Sequence, residues 1–372
     1  MNTANRSSAT LTIDLDAVAA NYRRLQAEAP TAEVAPVIKT DAYGLGALPV
    51  ARRLAAEGAR SFFVAHPGEG IDLRERGLLA DATIYVLESL AGEAPALLLA
   101  HGLVPALATP ADIAAWAAEA KRRGGPLPCA LHLDTGMNRL GLPLHDAERL
   151  AMTAGALDGL DIRLLMSHLA CADEPQNPMN EAQRKNFDGA LGSMSNTLRS
   201  LSNSSGIFLG AAYHYHLVRP GMALYGLNPT RGHPNPMKPV VRLAAPILQI
   251  REIDRGGSVG YGATYRAGGR TRVATVGVGY GDGFPRALGD RGWGFLRGVR
   301  VPIIGRISMD FVTLDVTGVG PEPARVGEAV ELLGANVTAD DQGIAAGSVG
   351  YEILTNLGRR YARHYLGAAE GD

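Results

Sequence analysis

Glu33-Val-Ala-Pro-Val-Ile-Lys39-Thr-Asp41-Ala-Tyr-Gly-Leu-Gly46 is the stretch on which the reading of this chain turns. Its β-branched apolar run predicts a buried parallel strand over 34–39, and the glycine-rich polar turn after it opens a predicted helix over 47–56. A lysine where a buried strand meets its loop sits in a low-dielectric pocket, which disfavours the ammonium form and leaves a nucleophilic amine. That is the amine a Schiff base with a carbonyl requires. Taken alone, Lys39 reads first as a surface lysine capping a strand; the rest of the chain decides otherwise.

Outward from this segment, β-type runs alternate with helical patterns. Further strands are expected over 61–65, 82–87, 103–109, 128–134, 161–168, near 200–203 and over 214–219. Between them lie Ala- and Leu-rich helical stretches, among them 110–123, 144–154 and 180–199. About eight β–α alternations without a Gly-x-Gly-x-x-Gly fingerprint predict a (β/α)8 barrel rather than a doubly wound sheet. After Pro239 the texture changes to short runs (245–250, 272–278, 301–304, 311–316, 329–333) separated by Gly, Pro and Asp, which predicts a mostly-β domain. A helical patch over 350–365 should close it. The expected division is 1–238 for the barrel and 239–372 for the β-rich domain. The first strand, 9–13, is free to join the latter before Asp14 caps a helix running to Gln26.

Acids and bases nearly balance over the 372 residues (net charge −1), so there is no electrostatic case for nucleic acid or an anionic membrane. No apolar run could span a bilayer, and the first residues lack a secretory h-region. Cys129 and Cys171 fit reduced thiols, which points to the cytoplasm, and no His/Cys spacing suggests a metal.

Chemistry-bearing motifs fall at the predicted strand ends, where barrel sites are assembled. Asp134-Thr-Gly-Met-Asn-Arg139 follows the fifth strand and Ser167-His168-Leu-Ala the sixth; Asn203-Ser204-Ser-Gly206 follows the seventh and Val218-Arg219-Pro-Gly221-Met222 the eighth. Together with Lys39-Thr-Asp-Ala-Tyr43-Gly, this order of motifs resembles the alanine racemase family from about Lys39 to Tyr351. The resemblance implies pyridoxal phosphate (PLP) linked to Lys39. Short Gly/Ser turns let backbone N–H groups approach a phosphate closely, and Tyr43, Ser204, Gly221, Met222 and Tyr351 match the family's cradle. Arg219 matches the arginine that faces the pyridine nitrogen, supported by His168. Because arginine only donates, that nitrogen stays unprotonated, and the ring is a weaker electron sink that discourages transamination.

Racemisation needs proton removal on one face of Cα and delivery on the other. The resemblance assigns these to Lys39 and to Tyr261, in Ser258-Val-Gly-Tyr-Gly-Ala-Thr-Tyr265. A phenol ordinarily titrates at about 10, so its surroundings must favour the phenolate or couple the transfer. Arg139 would hold the substrate carboxylate, the main chain of Met309 would meet the substrate, and Tyr280 and Tyr351 would narrow the entrance in favour of alanine. One departure stands out. Many family members carry a carbamate-modified lysine two residues before the Asp of Asp-Thr-Gly-Met; this chain has His132, which forms no comparable carbamate, so a halide or nothing would face Arg139. The family also implies a homodimer with shared sites. The expected reaction supplies D-alanine for peptidoglycan or serves alanine catabolism. The rivals are a serine or broad-specificity racemase, a barrel-fold PLP decarboxylase, and a non-catalytic PLP carrier.

Overall fold

A computed structural model describes residues 8–90, 92–190 and 197–368. Parallel strands Ser61–Val64, Thr83–Val86, Leu103–Leu107, Leu127–Asp134, Leu160–Met166 and Leu198–Ser200 pair in that order, while Glu33–Val34 pairs with Leu217–Val218. The ring closes on both sides of the lysine segment. Ala35 N–H and Val37 N–H donate to Val218 and Pro220 carbonyls (2.9 and 2.8 Å), and Ile38 N–H and Phe63 N–H exchange bonds with Phe63 and Pro36 carbonyls (2.9 Å each). At the last seam His216 N–H reaches Arg199 O (3.1 Å) and Arg219 N–H reaches Ser202 O (2.9 Å). The result is the expected eight-stranded barrel.

Side-chain alternation fills it. Val37, Phe63, Tyr85, Val104, Ala106, Ala130, Leu164 and Met166 form the interior, with the Phe63 and Tyr85 rings stacked 4.8 Å apart. Neighbours such as Phe62, Ile84 and Leu165 face the helix layer instead, each side chain contributing about 1.5–3 kcal/mol by leaving water. Helix ends follow local chemistry: Asp14 caps Leu15–Glu28 through Ala17 N–H, and Thr109 and left-handed Gly124 bracket Pro110–Arg123.

In the second domain the long strand Val241–Ile253 pairs antiparallel with Thr271–Val276 through its later half and with Ala329–Leu333 through its earlier half. Its earlier half also pairs with Thr10–Asp14 from the start of the chain, which in turn lies parallel to Ala362–Leu366.

Three sequence expectations need correction, and one helix is new. The strand over 34–39 is regular only at Glu33–Val34, because Pro36 has no N–H to donate and Lys39 already opens a turn. The helix over 180–199 is Pro178–Gly189, capped by Asn177; the expectation over 191–196 lies outside the described residues, and Leu198–Ser200 is a strand. The helical patch over 350–365 is a helix only over Gly350–Thr355; Gly358 N–H bonds Asp282 O instead (2.9 Å), and Ala362–Leu366 is a strand. The helix Ala339–Ala346, with a Thr338/Asp341 capping box, was not anticipated.

Candidate active site

Lys39 is half-buried at the mouth of the barrel and is followed by four residues in the left-handed region: Thr40, Asp41, Ala42 and Tyr43 have φ of 55°, 54°, 52° and 57°. Left-handed backbone costs roughly 1–2 kcal/mol per residue, so the turn persists only through its contacts. Ala42 N–H donates to Ile38 O (2.9 Å), Gly46 N–H to Asp41 O (2.8 Å), Ala47 N–H to Asp41 Oδ1 (2.7 Å), and Thr40 N–H to Glu69 Oε1 (2.6 Å). The second domain braces it too: Arg363 Nη1 donates to Gly44 O (2.8 Å) and Tyr365 Oη to Leu45 O (2.9 Å). Burial, and then the Arg139 charge, lower the proton affinity of the Lys39 amine, with Glu69 opposing them.

A cavity of about 470 Å³ opens over this lysine. It is lined by Lys39, Tyr43, His132, Arg139, His168, Ser204, Arg219, Gly221, Met222 and Tyr351. Nine of the residues expected from sequence therefore meet in one place. The Ser204 hydroxyl accepts from Gly221 N–H (2.9 Å) and Ala223 N–H (3.2 Å), which draws two short turns together beside the cavity. Tyr43 packs on Tyr225 at 4.7 Å, and burial raises its phenol to about 12. Its hydroxyl lies so near Gly221 that a Cβ there would sit 2.2 Å away; only glycine fits.

Arg219 is buried among acceptors that are not carboxylates. Its guanidinium donates to the Ser200 hydroxyl, to Ser167 O (2.5 Å), to Leu201 O (3.4 Å) and to His168 Nδ1 (3.4 Å). Since arginine has no acceptor, Nδ1 of His168 must accept and its proton sits on Nε2. Burial, then Arg219, hold His168 well below the usual imidazole range, so it is neutral. Burial also brings Arg219 down to about 9, still a cation at neutral pH, and no ion pair to it occurs among the described residues. Gln183 holds the His168 segment, donating to His168 O (2.8 Å) and accepting from Ala170 N–H (2.8 Å).

Arg139 projects from a turn organised by Asp134, whose Oδ1 accepts from Gly136, Met137 and Asn138 N–H groups (2.9, 2.9 and 3.1 Å). Beside it His132 is buried, with Nδ1 lacking a partner among the described residues. Burial, then Arg219 and Arg139, lower it to about 4, leaving a neutral ring where an anion was not to be expected from histidine.

Tyr261, Tyr280 and Met309 do not line this cavity. They lie on the outer face of the β-rich domain, with Tyr261 72% exposed and Tyr280, Met309 and Phe311 also open to solvent. Tyr280 N–H donates to Ser308 O (3.1 Å) and Gly281 N–H to Met309 O (2.8 Å); a Cβ at Gly279 would lie 2.3 Å from Met309 O, so this packing of two loops needs glycine. Arg360 ties both loops, meeting Asp282 at 3.1 Å and Asp310 at 2.8 Å. Sequence reading missed Glu69, Ser200 and Gln183. Glu69 carried a signal, standing three residues after His66 at a Pro-led helix start; the other two carried none.

Family models for the alanine racemase N-terminal and C-terminal domains match residues 13–229 and 240–365. A catabolic alanine racemase of Mesorhizobium japonicum is 46% identical, covering 97% of this chain and 94% of that protein. An alanine racemase of Methylobacterium nodulans is 50% identical over 98% of each. The crystal structure of the Bartonella henselae alanine racemase, which holds covalently bound pyridoxal phosphate, superposes with a TM-score of 0.92 at 35% identity, over 96% of this chain and 99% of that one. With its barrel, its β-rich domain and the motifs around Lys39 in the same order, this chain belongs to the alanine racemase family.

Proposed function

We propose that this chain interconverts L- and D-alanine, with pyridoxal phosphate held on Lys39. The observation that carries the reading is the cavity uniting a half-buried lysine, a cation without a carboxylate and the close group of Tyr43, Ser204 and Gly221. The cofactor fits these atoms. Arg219 can donate to a ring nitrogen, Ser204, Gly221, Met222, Tyr43 and Tyr351 suit a phosphate, and His168 fixes the guanidinium. Bound there, pyridoxal phosphate withdraws electrons from the substrate Cα and so acidifies its C–H bond.

Lys39 moves the Cα proton at Nζ on one face; burial and the Arg139 charge lower its proton affinity, which favours the free amine a base must present. Arg139 holds the substrate carboxylate through its fork. Arg219, donating only, keeps a proton off the ring nitrogen and limits how far electrons leave Cα. Tyr261 moves the proton at Oη on the other face, from a second copy of the chain. The exposed patch of Tyr261, Tyr280, Met309 and Phe311, which does not line its own chain's cavity, supports a homodimer in which each β-rich domain completes the other barrel's site. In that assembly Met309 and Tyr280, with Tyr351, crowd the entrance around a small side chain and favour alanine over serine. The division at 238/239 is supported by the two family matches, and the cytoplasm by the two unpaired cysteines. The same reversible step yields D-alanine for peptidoglycan or returns it to L-alanine for breakdown.

The test is a visible spectrum of the purified protein, borohydride reduction with mass mapping of the label, and polarimetry with alanine and serine. A label on the Lys39 peptide that Lys39→Ala abolishes, with alanine turned over faster than serine, is the expected result. Reducible cofactor on another lysine rejects the assignment, and bound cofactor without racemisation makes the chain a carrier.

A further inference from the structure

We propose that Glu69 is a positioning residue for Lys39, one carboxylate fastening the left-handed turn after the lysine to the loop of the neighbouring barrel strand. The inference rests on the reading that Lys39 is the reacting amine, and it adds a residue outside the cavity wall.

Glu69 stands at the third position of helix Pro67–Glu75, where its Oε2 accepts from Ala65 N–H (2.7 Å) and His66 N–H (3.3 Å). So far this is a helix cap, and a carboxylate at a helix start needs no further explanation. The other oxygen does something a cap does not require. Oε1 accepts from Thr40 N–H at 2.6 Å, across 29 residues of sequence. Thr40 is the first left-handed residue and is joined directly to Lys39 in the chain. The two oxygens therefore divide between two adjacent strand ends, the one leading to Lys39 and Ser61–Val64, which already meet through Val37 and Phe63. Losing Oε1 frees the backbone at the point where it aims the lysine.

Charge acts in the same place. Lys39 faces Arg139, and its own charge also bears on His168; Glu69 is the one anion among the described residues whose field opposes burial and Arg139 at the amine. Removing that negative charge without changing shape lowers the proton affinity of Lys39 further.

The experiment compares holoenzyme forms of wild type, Glu69→Gln, Glu69→Ala and, on the same helix, Glu75→Gln. Amide hydrogen exchange is read over 39–46 and 67–75, together with the pH dependence of kcat/KM. A glutamine keeps one acceptor oxygen, so the helix cap can persist while the bridge and the charge go. In Glu69→Gln, exchange over 39–46 should rise at least about tenfold, the effect of losing a bond to a charged acceptor. The acid limb of kcat/KM should move to lower pH, and kcat should fall more than KM changes. Glu75→Gln should match wild type in all three readouts. Faster exchange confined to 67–75, with 39–46 and the acid limb unmoved, means a helix cap only and overturns the proposal; so does a Glu69→Gln enzyme indistinguishable from wild type. If Glu69→Ala fails to fold, Glu69→Gln decides. If wild-type protein carries no borohydride-reducible link at Lys39, the functional reading fails separately, and exchange over 39–46 still judges the turn.

Discussion

Gly221→Ala isolates one contact of the candidate cradle. The backbone there has φ of −119° and ψ of −85°, so φ is not the left-handed value that favours glycine, and the close contact with Tyr43 supplies the steric part of the cost. A Cβ would meet Tyr43 Oη at 2.2 Å and Cζ at 2.9 Å. The ring cannot simply retreat, because it is packed 4.7 Å from Tyr225, whose hydroxyl is itself tied to Val37 O at 2.9 Å. Forcing one methyl into such a site costs about 1–3 kcal/mol. Expressed in the bound state, that is about a 5- to 150-fold loss of cofactor affinity. The assay is removal of cofactor with hydroxylamine, followed by titration of the apoprotein with pyridoxal phosphate, read by absorbance and tyrosine fluorescence, with a thermal melt alongside. Tyr43→Phe deletes the nearer clashing atom, so the double variant should recover part of the loss and show non-additivity of at least about 0.5 kcal/mol. Gly221→Ala with affinity within twofold of wild type and an unchanged melt would falsify the reasoning, as would strict additivity.

His132, brought from 6.5 to about 4 by burial and neighbouring cations, makes a stability prediction. Its folded pKa lies below the unfolded one, so the unfolded chain binds the proton first: the contribution is intact above 6.5 and is lost as pH falls toward 4, up to about 3 kcal/mol. Chemical denaturation across that range should show the decline in wild type and a flatter profile in His132→Asn; parallel profiles rule the histidine out. The peptide over 129–139 should carry no carbon dioxide adduct by native mass spectrometry, and if a halide serves Arg139, activity should saturate with chloride after exchange into acetate; equal rates with and without chloride dismiss the halide. For the shared-site dimer, a hybrid of Lys39→Ala and Tyr261→Phe chains should hold one site with both bases and regain about half of wild-type activity, provided the sites act independently. A folded, cofactor-loaded hybrid as inactive as its parents refutes sharing.

The barrel was legible because each strand and helix announces itself locally: Thr109 and Gly124 bracket their helix, and apolar runs bounded by turns mark the wall. The cavity residues were legible from the order of motifs, eight of the nine following barrel strands that the closed ring gathers to one mouth and Tyr351 coming from a helix of the second domain. The left-handed turn was not. Thr40, Ala42 and Tyr43 have no leaning toward positive φ, and what holds them comes from Glu69, Arg363 and Tyr365, far away in sequence. The patch over 350–365 misled for a similar reason. Residues 362–366 follow a helical stretch, but the waiting edge of Thr10–Asp14 recruits them as a strand. Tyr261, Tyr280 and Met309 carry motif signals, yet one chain leaves them facing outward, where no periodicity says what they meet.

The placement of Thr10–Asp14 bears on how the molecule is made. Its partners are Ala244 and its neighbours on one side and Ala362 and its neighbours on the other. A ribosome adding 5–20 residues per second delivers the second of these roughly 20–70 s after the first strand emerges. Until 241–244 are made, Leu11 and Ile13, wholly buried in the finished fold, stay on a strand without a partner. The nascent protein thus carries a strand that is unpaired until 241–244 arrive and open along one edge until 362–366 do, a natural target for holdase chaperones. Once that strand is taken up, the two halves are joined by two chain crossings, so neither can swing far or be excised without tearing the other's sheet.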